Sequence, residues 1–148
     1  MDRKKFIKNC GMACVGGGAM AALLQSCGVS KTITGTISNS DLLVSLTDFE
    51  TKAGNEIHYK KYVIVNSDIL KFPICVYRSD AQNYTALWLQ CTHQGAELQV
   101  FGDKLQCPAH GSEFNNTGNI TSGPAARNLR TFPVTVVSNQ LKISLKAV

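Results

Sequence analysis

The stretch Cys91-Thr92-His93-Gln94-Gly95, answered downstream by Cys107-Pro108-Ala109-His110-Gly111-Ser112, decides how the rest of this chain is read. Thirteen residues lie between His93 and Cys107, so one thiol and one imidazole fall on each of two short loops. A two-iron, two-sulfide cluster with mixed ligands needs this inventory: two thiolates for one iron and two imidazoles for the other. Each loop then supplies one donor to each iron, which a single-metal site does not require. Zinc also takes two cysteines and two histidines, but its usual spacing pairs cysteine with cysteine and histidine with histidine, whereas the order here alternates. The remaining alternative is two buried cysteines beside two surface histidines. It leaves the repeated Cys/His pairing unexplained.

Working outward, Ala96 to Val100 and Lys104 to Gln106 flank Phe101-Gly102-Asp103, in which Gly-Asp reads as a hairpin turn. A small hairpin therefore joins the two loops and brings their tips side by side. Upstream, Leu42 to Leu46, Lys61 to Val65 and Lys71 to Tyr77 read as strands, with Pro73 marking an edge or a strand start. Asp48 to Asn55 reads as a loop and Arg78 to Asn83 as a turn. Tyr84 to Leu89 is a strand leading straight into the first Cys/His loop. Downstream, Asn115 to Asn119 is turn-rich and Asn119-Ile120-Thr121 is a short strand. Thr131 to Val137 and Gln140 to Leu145 form a last hairpin around Ser138-Asn139. Many short strands with turn signals between them, and no amphipathic helix after the N-terminal segment, predict an all-β domain. Cys75, within a strand-like run, reads as a small buried core residue, and His58, in a polar stretch, as a surface residue.

The two boxes, Cys-Thr-His-Gln-Gly (91–95) and Cys-Pro-Ala-His-Gly-Ser (107–112), resemble the ligand boxes of the Rieske iron–sulfur family. Gly111-Ser112-Glu113-Phe114 with Gly118 resembles that family's stretch after the second box, and Ser122-Gly123-Pro124-Ala125 its proline loop. The resemblance runs in layout from Leu43 to Val148 and is specific from about Leu89 to Pro133. It implies an antiparallel β-sandwich or barrel with a small cluster-binding subdomain, about residues 89–126, at one end. It implies one [2Fe–2S] cluster per chain, with Cys91 and Cys107 as thiolates on one iron and His93 and His110 as imidazoles on the other. Gly95 and Gly111 would let backbone amides approach the cluster sulfurs, plain turn glycine being the alternative. Pro124 with Gly123 would cover one side of the cluster. Two departures stand out. High-potential members carry a further cysteine in each box, forming a disulfide between the loops; Ala96 and Ala109 occupy those positions here. Such members also place serine and tyrosine hydroxyls near the cluster. Ser112 keeps the first, and Phe114 replaces the second without a hydroxyl.

The chain of 148 residues suits one domain plus a leader. Its net charge of +5 is concentrated at one end, where Arg3, Lys4, Lys5 and Lys8 outweigh Asp2. No basic stripe interleaved with aromatics follows, which argues against a nucleic-acid partner. A basic start, an uncharged small-residue run from Cys10 to Leu24, and Leu24-Gln25-Ser26-Cys27 together read as an export signal over residues 1–26. The ending resembles a bacterial lipobox, implying lipid on Cys27, a tether over 27–40 and a domain over 41–148. A retained membrane-spanning helix and simple cleavage are the alternatives. An ordinary edge strand around Thr32-Ile33-Thr34 is the alternative to the end of the tether. Arg3-Lys4 resembles a twin-arginine export motif with lysine in second place, a route that carries folded cargo.

The expectation is an exported, membrane-anchored carrier of single electrons, on the periplasmic or cell-surface side. It would work with a quinol- or haem-linked redox partner or a terminal oxidoreductase and have no substrate chemistry of its own. The alternatives are a subunit of a larger complex, of the bc type or like arsenite oxidase, and a non-redox surface lipoprotein using the same fold.

Overall fold

The computed structural model describes residues 32–146. Cys27 and the leader lie outside those residues. A five-stranded sheet runs in the order β1 (Thr32–Thr34), β6 (Tyr62–Asn66), β7 (Ile74–Arg78), β8 (Tyr84–Trp88), β13 (Thr131–Phe132). A second sheet orders β14 (Val134–Val137), β15 (Gln140–Ser144), β3 (Asp41–Ser45), β2 (Thr36–Ser38). A third orders β12 (Ile120–Ser122), β11 (Glu113–Asn115), β10 (Lys104–Gln106), β9 (Gln99–Phe101). A separate hairpin pairs β4 (Glu50–Ala53) with β5 (Glu56–Tyr59). All strand pairs are antiparallel except β1 with β6. The described residues form the all-β arrangement expected above.

Strand β7 explains why one sheet can serve two cores. Successive side chains on a strand point to opposite faces. Ile74 and Val76 therefore enter a core with Leu42, Val44, Val63, Val65 and Phe132, between the five-stranded sheet and the second sheet. Cys75 and Tyr77 enter another, with Leu87, Leu89, Leu105 and Phe114, between the five-stranded sheet and the third. Being covered on both sides, β7 reads as an unbroken apolar run instead of an alternating one. Neighbouring β8 divides in the same way, Ala86 facing the first core and Leu87 the second.

Three expectations need correction. The segment read as the end of a tether forms β1 and β2, each paired within a sheet, so residues 32–38 belong to the folded domain ahead of Asp41. Ile33 is buried, and Gly35 lets the backbone between these strands press on the core: a Cβ there would lie 2.5 Å from Leu42 Cδ1 and 2.7 Å from Val65 Cγ1. Gly35→Ala should therefore cost about 1–3 kcal/mol, as overpacking does, and a urea unfolding curve would show the midpoint falling. The loop read over 48–55 is instead a 3-10 turn, Leu46–Phe49, followed by the β4–β5 hairpin. Thr131 to Val137 is not one strand. Chain pairing changes at Pro133: β13 bonds to β8 in the five-stranded sheet and β14 to β15 in the second. Proline has no N–H to continue a ladder, and its carbonyl instead accepts from Ser144 N–H at 2.9 Å.

Candidate metal centre

The two Cys/His loops are built on one plan. In the first, Cys91 N–H donates to the Ala96 carbonyl at 2.8 Å and Gly95 N–H to the Cys91 carbonyl at 2.9 Å. In the second, Cys107 N–H donates to the Ser112 carbonyl at 2.8 Å and Gly111 N–H to the Cys107 carbonyl at 3.0 Å. Closing each turn needs a left-handed residue, and Gly95 and Gly111 supply it with φ of 79° and 78°. The β9–β10 hairpin joins the loops, and an isolated bridge between Gln90 and Glu97 closes the base of the first.

This arrangement sorts the donors into two pairs. Cys91 and Cys107 are buried and their thiols lie in hydrogen-bonding contact. His93 and His110 are exposed, with ring centres 5.0 Å apart and planes nearly perpendicular, at 88°. Backbone amides converge on the sulfurs, from His93 on Cys91 and from Ala109 and His110 on Cys107. Burial lifts the Cys91 thiol above its ordinary range against the His93 amide. At Cys107 burial acts upward too, but the Ala109 N–H, the Cys91 thiol and the His110 N–H outweigh it and bring the thiol below its usual value. Among the described residues the three cysteines are unpaired, Cys75 included.

Ser112 links the parts. It is the fully buried polar residue of the described core. Its Oγ accepts from Ala125 N–H at 3.0 Å, and its hydroxyl hydrogen-bonds Cys91 on the opposite loop. Phe114 is fully buried among the leucines beneath both cysteines. Pro124 stands exposed on the third loop, while Ala125 beside it is buried.

Other contacts hold the site, and sequence reasoning missed them. Thr92 Oγ1 donates to the Arg127 carbonyl at 2.6 Å, tying the first loop to the third. Tyr77 Oη donates to the Gly102 carbonyl at 2.9 Å, and Lys61 pairs with Asp103 at 3.1 Å. These two pin the far turn of the β9–β10 hairpin to the five-stranded sheet. Burial pushes both Tyr77 and the adjacent Cys75 above their ordinary ranges, so both stay neutral. Thr92 was visible inside a ligand box, but its partner lies 35 residues away.

The donor set can be tested against a metal. Among the described residues, no three His, Cys, Asp or Glu side chains form a group that could hold one metal ion. The donors come as two pairs, soft buried thiols and exposed imidazoles, one of each on each loop, which suits a dinuclear centre. Residues 50–133 match the Rieske [2Fe-2S] domain. The chain belongs to the Rieske family. Its cofactor is accordingly a [2Fe–2S] cluster, and the two donor pairs of this Rieske chain fit one.

The Rieske chain is 39% identical over 56 residues to the cytochrome b6-f complex iron-sulfur subunit 1 of Synechocystis, covering 36% of this chain and 32% of that protein. It is 38% identical over 53 residues to the cytochrome b6-f complex iron-sulfur subunit of Trichodesmium erythraeum, covering 34% and 30%. The chain thus spans about a third of the length of these curated relatives. Among solved structures, the cyanobacterial plasma membrane Rieske protein PetC3 from Synechocystis is similar at 30% identity and a TM-score of 0.49, over 57% of this chain and 86% of that one.

Proposed function

We propose that this chain passes single electrons through a [2Fe–2S] cluster held by Cys91 and Cys107 on one iron and His93 and His110 on the other. The observation that carries this reading is the sorting of donors, two buried thiols and two exposed imidazoles on matched loops. The cluster supplies a one-electron redox couple. The protein's own residues do the rest. Backbone amides and the Ser112 hydroxyl stabilise negative charge on the sulfurs, Leu89, Leu105 and Phe114 exclude water beneath them, and the exposed histidines offer an electron exit. Electron paramagnetic resonance of the dithionite-reduced protein tests the reading. A Rieske-type signal, with average g below that of all-cysteine clusters, supports it; a zinc-only or metal-free protein after anaerobic reconstitution overturns it.

The chain is a disulfide-lacking member, with Ala96 and Ala109 at the positions of the usual cross-link and Phe114 in place of a hydroxyl donor. Fewer donors leave the electron-rich state less stable. The reduction potential falls in the lower or middle part of the span known for such centres, roughly −150 to +300 mV. Phe114→Tyr should raise it by a few tens of mV, read by protein-film voltammetry beside the native protein. A potential near the top of the span for the native chain would contradict the assignment.

Residues 1–26 act as an export signal, and Cys27 carries lipid that holds the domain at a membrane, outside the cytoplasm. No helix among the described residues is long and apolar enough to cross a membrane. Mass spectrometry of the mature N-terminus tests the anchor. A free, unmodified residue 27 or a retained residue 1 would overturn it. A subunit role in a larger oxidoreductase complex is the second reading, favoured by the b6-f subunits among the relatives. Co-purification with a large partner would decide for it.

A further inference from the structure

Beside the first ligand loop lies a groove of about 540 Å³, lined by Trp88, Gln90, His93, Arg127 and Arg130 among others. Both guanidinium groups stand on the exposed wall formed by the segment after the proline loop. That wall is fixed in place. Thr92 bonds the Arg127 carbonyl, Trp88 N–H donates to the Arg130 carbonyl at 2.9 Å, and the Arg130 guanidinium rests 4.6 Å from the centre of the Phe132 ring. Neither arginine is ion-paired among the described residues, and no carboxylate lines the groove. Charges on the neighbouring third sheet and its turn are neutralised locally, Lys104 with Glu113 and Lys61 with Asp103; Glu97 remains, exposed and outside the groove.

We infer that this groove is the docking face for an acidic redox protein, whose surface carboxylates pair with Arg127 and Arg130 and bring its redox centre to His93. The inference rests on the electron-transfer reading and names the kind of partner that reading requires. Guanidinium forks match carboxylates in two-point geometry. Unpaired charge at the rim of an interface acts chiefly on the rate of encounter. A protein surface fits better than a small acid because both arginines are exposed on one wall and no charged side chain is buried inside to enclose a ligand. The transfer itself is one electron, leaving the donor cluster oxidised and this cluster reduced, with no bond made or broken.

The test uses a reduced, acidic plant-type ferredoxin, whose potential lies well below the Rieske span, mixed with the oxidised full-length protein in a stopped-flow instrument. The native rate should fall as salt rises, on the order of tenfold across the range where surface charges become screened. Arg127→Gln/Arg130→Gln should slow transfer about tenfold at low salt and flatten the salt dependence, with the paramagnetic signal and potential unchanged. Lys142→Gln, in the second sheet, should leave the rate as it was. An unchanged rate and salt slope in the double variant would overturn the proposal. So would slowing by citrate beyond that of chloride at equal ionic strength if the double variant lost it, which would mark a small-carboxylate site. Arginine-dependent binding to phosphatidylglycerol vesicles without any effect on the ferredoxin rate would overturn it in favour of a lipid surface. A native protein with no Rieske signal at all would refute the electron-transfer reading itself, an outcome distinct from these.

Discussion

Cys107→Ser should yield a colourless protein that retains essentially no iron or sulfide. A serine hydroxyl does not deprotonate near neutral pH, and its oxygen is a harder donor than the thiolate that iron–sulfur clusters take. Cys107 is also the thiol that its surroundings favour as an anion, because the Ala109 and His110 amides and the Cys91 thiol outweigh burial there. Its loss removes the anion that two backbone N–H groups are aimed to hold. Cys75→Ala is the matched comparison. Cys75 is equally buried but lies on β7, on the sheet beneath the loops, and should keep full iron content. Iron and sulfide analysis of the two variants side by side checks the assignment; a Cys107→Ser protein that keeps a stoichiometric cluster would refute it. The cluster stabilises only the folded state that binds it, so Cys107→Ser should also melt at a lower temperature than Cys75→Ala.

Ser112→Ala should lower both the reduction potential and the stability, through two separate bonds. The hydroxyl's hydrogen bond to Cys91 favours charge on the sulfur and grows in value as the cluster gains an electron. Bonds to charged groups are worth roughly 1.5–3 kcal/mol. If about half of that is felt only by the reduced form, the potential falls by about 30–65 mV at roughly 1.4 kcal/mol per 59 mV. The second bond is that accepted from Ala125 N–H. Removing the oxygen leaves a buried donor without a partner, at a cost of about 1–3 kcal/mol. Voltammetry reads the first effect and urea unfolding the second. Ser112→Thr keeps the hydroxyl and should restore most of the potential even where its extra methyl lowers stability. A Ser112→Ala protein with the native potential would remove Ser112 from the list of groups that tune the cluster.

What the sequence made legible follows the range of each interaction. The ligand loops are local: cysteine, histidine and glycine fall within five consecutive residues, and the turn geometry at Gly95 and Gly111 follows from that spacing. The hairpin between the loops was equally legible, because Gly102-Asp103 interrupts two short strands. The β4–β5 hairpin was not, since all but one of its strand residues are exposed and no alternation betrays it. The strand break at Pro133 was hidden by an apolar run that continues across it. Ser112 was marked by its place in the second box, yet its bonds to Cys91 and Ala125 cross between loops, and no local pattern encodes which groups it joins. The same holds for Thr92 with Arg127 and for Tyr77 with Gly102.

The two bonds that fasten the turn at Gly102 and Asp103 to the five-stranded sheet have a consequence for how the centre is made. They grip the ligand-bearing arm at the end remote from the donors and do not depend on iron. The facing of the two loops is therefore supported by bonds made within the protein itself. That anchor, at the root of the arm, is a hydrogen bond and an ion pair with no thiol in it, so a reducing environment has nothing there to break.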